Sequence, residues 1–208
     1  MSPRDVDKLT DKGLRRKQEL LDSALKLFSE KGYHATTMDD IARKAGTGKG
    51  TVYWYWHSKE EIFLELLDQK LGGYLNSLQQ ISTLQLDASD KIPILITEVG
   101  NIFVKYRKLC KLIFLLITED TDAFDNVVRT RTADYYRKMM EIIESIFAEG
   151  IAKGAINPDA DPAALAAILV ALIDGIAVQE AIFGKEYSIR TLGVTTLKLI
   201  KGGVYLKK

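Results

Sequence analysis

Between Thr36 and Trp56 the chain carries two short apolar patterns on either side of Gly46, an arrangement that very few folds accommodate. Thr37 is a good N-cap residue, and Asp39 and Asp40 follow it where a helix dipole favours negative charge. The helix they open is expected over Met38–Ala45 and ends at Gly46, whose tolerance of positive φ suits a tight turn. A second short helix starts after Thr47-Gly48 and ends near Trp56-His57. Two such helices across a tight turn make a helix-turn-helix. Ala42 is small enough for the helices to pass closely, and Ile41, Ala45, Val52 and Trp56 close a small core, with Val52 and Trp56 on one face. Gly50, Trp54 and His57 then point outward, flanked by Thr51 and Tyr53.

Helical periodicity continues on both sides. Leu20, Leu21, Ala24, Leu25, Leu27 and Phe28 form an amphipathic first helix that stops near Lys31-Gly32. Ser58 with Glu60 and Glu61 opens a long helix through Ile62, Leu66, Leu67, Leu71, Tyr74, Leu75 and Leu78 to about Ile81, which Gly72-Gly73 is expected to bend. Further helices are predicted at about 89–107, 109–117, 123–152, 161–183 and 189–206, with breaks at Thr118–Asp122, Gly154–Asp161 and Gly184–Ser188. Asn157-Pro158-Asp159 and Asp161-Pro162 mark a loop feeding a helix, because proline fits the first helical turn and restricts the residue before it. The fold class is all-α. Three parts are expected: a charged N-terminal arm at 1–13, a three-helix helix-turn-helix head at 14–60 with its motif at 37–57, and a helical bundle at 61–208.

With 208 residues, 47% of them hydrophobic, the chain can bury a substantial core. The longest stretch free of polar residues, Ala163–Ile173, is about half of the roughly 20 residues that a membrane span needs. Met1–Lys17 is crowded with charge and has no apolar run of the secretory type, so a cytoplasmic location and no membrane partner are expected. Cys110 is the single cysteine, which excludes an internal disulfide and reads as a small core residue. With His34 and His57 the only histidines, no metal site and no cofactor are expected. The net charge of +1 points to no partner. Residues 1–60 hold 12 Lys and Arg against 9 Asp and Glu, so the basic excess is small but N-terminal. The motif therefore carries the case for DNA. An enzyme is not expected: there are no paired carboxylates, no nucleophile beside a histidine, and Gly48-Lys49-Gly50-Thr51 lacks the first glycine and the preceding strand of a phosphate loop. A protein-interaction scaffold would keep the same fold and dispense with DNA.

From about Arg15 to Leu64 the chain closely resembles the DNA-binding domain of the tetracycline-repressor (TetR) family of transcriptional regulators. The resemblance rests on Ala24-Leu25-Lys26-Leu27-Phe28 through Lys31-Gly32-Tyr33, on Ile41-Ala42 to Ala45-Gly46, on Gly50-Thr51-Val52-Tyr53 and on Ser58-Lys59-Glu60-Glu61-Ile62. It implies that the helix beginning near Lys49 enters the major groove. Lys49 would donate to guanine O6 or N7, Thr51 would meet a base or a thymine methyl, and Gly50 would allow close backbone approach. Tyr53, Tyr55 and Lys59 are the implied phosphate contacts, with the hydroxyls of Thr37 and Thr47 at helix starts and His57 near phosphate. Trp54 would pack on a sugar or thymine methyl, while Trp56 fills a place commonly held by Phe in the core. Where family members often have Val-Ser, this chain has Thr47-Gly48, and Thr47 is expected to cap the recognition helix instead. Arg4, Lys8, Lys12, Arg15, Arg16 and Lys17 are read as a basic arm, more a solvated tail than a groove reader.

Beyond about Leu75 the resemblance rests on size and helical pattern. It implies a pocket for a small hydrophobic or aromatic effector, with Phe103, Tyr106, Arg107, Phe114, Tyr135 and Met139 as candidate lining and Phe63 and Phe147 as further candidates. Each is individually more ordinary as bundle core. Small residues at Ala163, Ala164, Ala166, Ala167, Ala171, Gly175, Ala177 and Ala181, with Leu192, Leu197 and Leu199, look like a homodimer interface. A two-fold dimer would place two recognition helices about one DNA turn apart on an inverted-repeat operator. The implied protein is a repressor that a ligand releases from its operator. Ligand-independent or activating regulation remains the alternative, and the operator and effector are not readable.

Overall fold

A computed structural model of the chain describes residues 10–119, 123–183 and 188–203, and the side chains of Phe103, Ala177, Ala181 and Leu199 lie outside that description. Arg4 and Lys8 lie outside it as well. Among the described residues every regular element is a helix: α1 (Asp11–Lys31), α2 (Met38–Lys44), α3 (Lys49–Tyr55), α4 (Lys59–Ser82), α5 (Ala88–Glu119), α6 (Ala123–Ala152), α7 (Pro162–Phe183) and α8 (Ile189–Gly203). None is long and apolar enough to cross a membrane.

Local sequence explains the boundaries. The Thr10 hydroxyl accepts from the Gly13 amide at 3.1 Å and starts α1 earlier than expected, so Lys12, Arg15, Arg16 and Lys17 belong to a helix rather than to an arm. Gly32 ends α1 at φ 85°, a conformation costly for any residue with a Cβ. The predicted break near residue 108 does not exist, since α5 continues through it. Val99, Leu109, Leu112, Ile113 and Leu116 keep one face buried, while Lys105, Lys108 and Lys111 lie on exposed positions that interrupt only the solvent side. Helix α5 also runs through Thr118, where a break was expected; residues 120–122 and 184–187 lie outside the description. Pro162 occupies the first position of α7, and the Asp161 carboxylate accepts from the Ala163 and Ala164 amides at 2.9 and 3.2 Å.

The chain forms two compact units. The first comprises the residues up to Lys70 together with Leu112–Val128, a segment that the sequence boundaries had placed in the bundle. Its core is built from Leu20, Leu21, Ala24, Phe28, Ile41, Val52, Ile62, Phe63, Leu66 and Leu67, all essentially without exposure. Tyr33 stacks on Phe124 at 4.7 Å and meets Phe63 edge-on at 5.3 Å, which explains why the start of α6 is counted in this unit.

The second unit comprises Leu71–Lys111 and the residues from Arg129 onward. Leu78, Ile92, Leu95, Ile143, Ile146, Phe147, Ile156, Ala166 and Leu169 make its core. Lys91 is only 4% exposed there, and its ammonium bonds Glu149 Oε2 at 2.7 Å and the Ser82 carbonyl at 2.9 Å, tying α5 to α6 and to the end of α4. Lys91→Met leaves the Ser82 carbonyl without this buried donor and the Glu149 carboxylate with Lys153, and is expected to destabilise the protein by about 1–3 kcal/mol. Lys153→Ala, which removes a surface partner of the same carboxylate, should shift the unfolding midpoint far less, and urea denaturation of both variants measures the difference.

Candidate DNA-binding site

The geometry of the head begins with Gly46, at φ 64°, between α2 and α3. The Thr47 amide donates to the Ala42 carbonyl at 3.0 Å and closes the turn, while Ala42, Ile41 and Val52 are buried where the helices meet. Ala45, expected in that core, is half-buried because it is the C-cap of α2. At the start of α2 the Thr37 hydroxyl accepts from the Asp40 amide, and the Asp40 carboxylate accepts from the Thr37 hydroxyl and amide. Those bonds hold the Asp40 carboxyl below the usual range. The sign follows: this cap contributes above the ordinary carboxylate pKa and is lost as pH falls through the depressed folded value.

Trp56 fixes α3 from its far end. Its ring is buried, and its indole N–H donates to Glu65 Oε2 at 2.7 Å. Lys17 Nζ reaches Glu65 Oε1 at 2.6 Å and lies 5.5 Å from the indole centroid. The core placement of Trp56 agrees with the sequence expectation, but Glu65 and Lys17, from two other helices, were not foreseen.

Four implied contacts need revision or are restricted by the structure. Thr47 does not cap α3: Gly48 is the N-cap, it has no side chain to offer, and the Thr47 hydroxyl donates to the Thr51 hydroxyl at 3.0 Å. The Tyr55 hydroxyl donates to the Gly13 carbonyl at 2.9 Å, so it braces α3 against α1. The Lys59 ammonium donates to the Tyr33 and His34 carbonyls at 2.9 and 3.2 Å and sits 4.3 Å over the Tyr33 ring, which makes it a clamp on the loop after α1. Trp54 is half-buried and edge-on to Tyr55 at 4.7 Å.

Lys49, Gly50, Tyr53 and His57 remain exposed, with Thr51 half-buried and Thr37 exposed at the start of α2. Lys49 Nζ lies 2.8 Å from Asp39 Oδ1 and 5.5 Å over the Tyr53 ring. Adding a Cβ at Gly50 would meet nothing within 4 Å, so this glycine leaves an open surface. Such a face, with a cation, two hydroxyls, an aromatic edge and a bare backbone, can present hydrogen-bond donors and flat contacts to base edges.

The candidate ligand residues are divided between the two units, and the side chain of Phe103 lies outside the described residues. Met139 and Phe147 belong to the packed core of the second unit, and Phe63 is buried in the core of the first. Phe114 is half exposed and belongs to the first unit. Tyr106, Arg107 and Tyr135 are half-buried in the second unit, with Lys105 Nζ 5.2 Å over Tyr106 and Lys138 Nζ 6.0 Å over Tyr135.

A polar cluster that the sequence did not reveal lies elsewhere in that unit. Tyr136 donates to Asp174 Oδ1 at 2.9 Å, linking α6 to α7. Burial and then the nearby Asp174 charge push the Tyr74 and Tyr136 phenols up, and burial raises the Asp174 carboxyl. Cys110 is half-buried, and burial followed by the Asp174 charge pushes its thiol up to about 11. Its reaction with iodoacetamide at pH 8 should therefore be about a hundredfold slower than that of an ordinary cysteine, as quenched-flow mass spectrometry would show.

The comparisons agree with this architecture. Residues 20–66 match the family described as bacterial regulatory proteins, tetR family, and residues 124–192 match the BetI-type transcriptional repressor C-terminal family. The chain is 30% identical over 149 residues to the HTH-type transcriptional repressor KstR2 of Mycolicibacterium smegmatis, covering 70% of each protein. It is 23% identical over 190 residues to the fatty acid metabolism regulator protein of Bacillus subtilis, covering 91% of this chain and 95% of that one. Among solved structures, the SmeT–triclosan complex matches with a TM-score of 0.77 at 21% identity over 93% of each chain, SmeT being a repressor from Stenotrophomonas maltophilia. FadR of Bacillus subtilis in complex with stearoyl-CoA matches with a TM-score of 0.72 at 21% identity, over 90% of this chain and 99% of that one. With its helix-turn-helix geometry, its two family matches and these relatives, the chain belongs to the TetR family of DNA-binding transcriptional regulators.

Proposed function

We propose that the protein is a homodimeric repressor that reads an inverted-repeat operator with α3 and is released by an apolar effector bound in the second unit. The observation that carries the DNA reading is the exposed set Lys49, Gly50, Thr51 and Tyr53 on a helix anchored by Val52 and Trp56. Lys49 and Thr51 meet bases, Tyr53 and Thr37 meet phosphates, and His57 lies beside them. Trp54, half-buried, meets a sugar or a thymine methyl. Tyr55, Lys59 and Thr47 act from within the head by holding α3 in place.

Two-fold assembly is supported by an apolar surface on the last two helices. Ile168, Leu172, Val178, Ile182 and Phe183 of α7 and Val194 of α8 are all exposed, as are the small residues Ala163, Ala164, Ala167 and Ala171. Ala166 belongs instead to the protein's own core. A monomer seldom leaves so contiguous an apolar face in water, and a second copy of the same face covers it in a closed symmetric pair. The double variant Ile168→Glu, Leu172→Glu should sediment as a folded monomer and lose operator binding.

The effector reading is supported by the two neighbours whose structures hold triclosan, a largely apolar molecule, and stearoyl-CoA, whose acyl chain is apolar. In this chain Tyr74, Tyr136, Asp174 and Cys110 supply polar anchors among apolar helices, with Tyr106, Arg107 and Tyr135 nearby in sequence to two of them. Effector and operator then weaken each other's binding reciprocally. Operator titrations test both halves. Lys49→Ala should weaken operator binding by about tenfold or more, the worth of one good base contact. Stearoyl-CoA or triclosan should weaken it in the unaltered protein. Operator affinity unmoved by the substitution contradicts the reading of α3, and affinity unmoved by any apolar compound contradicts the switch.

A further inference from the structure

The recognition surface contains a carboxylate, which is unfavourable beside a polyanion unless it has a task there. Asp39 is 53% exposed in the first turn of α2, and its Oδ1 lies 2.8 Å from Nζ of Lys49, the first residue of α3. The Asp39 charge suits the dipole at the start of α2, but the cap itself does not use it. The capping box at Thr37 is completed by Asp40, which also meets Lys31 and Arg43 at 3.4 Å. Glu61 accepts from the His57 amide, and Glu65 holds Trp56 and Lys17, so these carboxylates are tied to packing. Among the described residues the partner of Asp39 is Lys49, the side chain placed to read a base.

We propose that Asp39 is a specificity-determining residue that holds Lys49 for a guanine edge and keeps it from contributing to indiscriminate phosphate binding. This rests on the reading of α3 given above. An ammonium has three donors and no acceptor. With one proton on Asp39, two remain, and guanine offers two acceptors, O6 and N7, on the same major-groove edge. The ammonium can therefore bridge carboxylate and guanine without giving up its partner. Adenine offers N7 but turns an amino donor toward the ammonium where guanine has O6. On a phosphate the trade is poor, because swinging Lys49 away leaves the Asp39 charge unpaired in the negative potential of the backbone. The Tyr53 ring beneath Nζ at 5.5 Å limits the swing from the other side. Asp39 therefore lowers affinity for unrelated DNA more than affinity for the operator, and specificity is the ratio of the two.

The experiment compares full-length wild type, Asp39→Ala, Asp39→Asn and Lys49→Ala on the selected operator, on operators with each guanine of the half-site replaced by adenine, and on unrelated duplex, across a salt series. Thermal unfolding of each variant checks the fold. Asp39→Ala is expected to bind unrelated DNA more tightly, with a log–log salt dependence steeper by about one per head. Its preference for guanine over adenine at one position should fall by about tenfold. Asp39→Asn, which keeps an acceptor without the charge, should retain part of that preference. Equal gains on operator and unrelated DNA with base preference intact overturn the proposal, leaving Asp39 as simple repulsion. Equal losses on both, with a lowered unfolding temperature, overturn it in favour of a structural role. If Lys49→Ala changes nothing, the placement of α3 fails as well, whereas a large effect of Lys49→Ala with none from Asp39→Ala refutes this inference alone.

Discussion

A buried indole holds the recognition helix where it is. Helix α3 has only seven residues, too few to be stable alone, and its N-cap Gly48 offers no side-chain bond. Its position therefore depends on what its two ends and its inner face are attached to. Val52 is buried against the head, and Trp56 plugs the core at the far end with its indole N–H on Glu65. Glu65 belongs to α4 and Lys17 to α1, so one carboxylate joins three helices at the point where the recognition helix stops. A charge-assisted bond of this kind, partly shielded from water, contributes more than an exposed pair.

The same economy of roles explains why the basic residues of the head are so unequal. Lys17 and Lys59 face inward to a carboxylate and to loop carbonyls, and Arg16 pairs with Glu19 one turn away. Lys49 alone among these cations sits on the outward face of α3, and even it is held by Asp39. A surface built this way gains little from bulk charge. What it offers instead is a small number of oriented groups, in keeping with a net charge of only +1.

Features set by adjacent residues were legible in the sequence. Gly32 and Gly46, the Thr37 cap and the Asp161-Pro162 start each act within four residues, and each lies where the spacing placed it. Trp56 was legible as core because the head is too small to bury four rings, and it is the buried one of the four. What escaped were contacts across long stretches of chain. The Tyr55 hydroxyl reaches a carbonyl 42 residues earlier, and Lys59 reaches one 26 residues earlier, so side chains that look suited to phosphate are already engaged. Tyr33 stacking on Phe124 likewise joins segments that no periodicity connects. The Tyr136–Asp174 pair was hidden because Asp174 follows a long apolar stretch of α7 and its partner lies 38 residues away. The lysines around residue 108 misled for the opposite reason, since charge on a solvent face resembles a break when the buried face is not followed through it.

The central claim is that two copies of α3, held two-fold by the last helices, read adjacent major grooves. Selection of bound duplexes from random sequence by the full-length protein tests it most directly. The account predicts an inverted repeat whose half-sites lie about one helical turn apart, each with a preferred guanine. Enrichment of a single unrepeated site, of half-sites without two-fold symmetry, or of no sequence at all would contradict it.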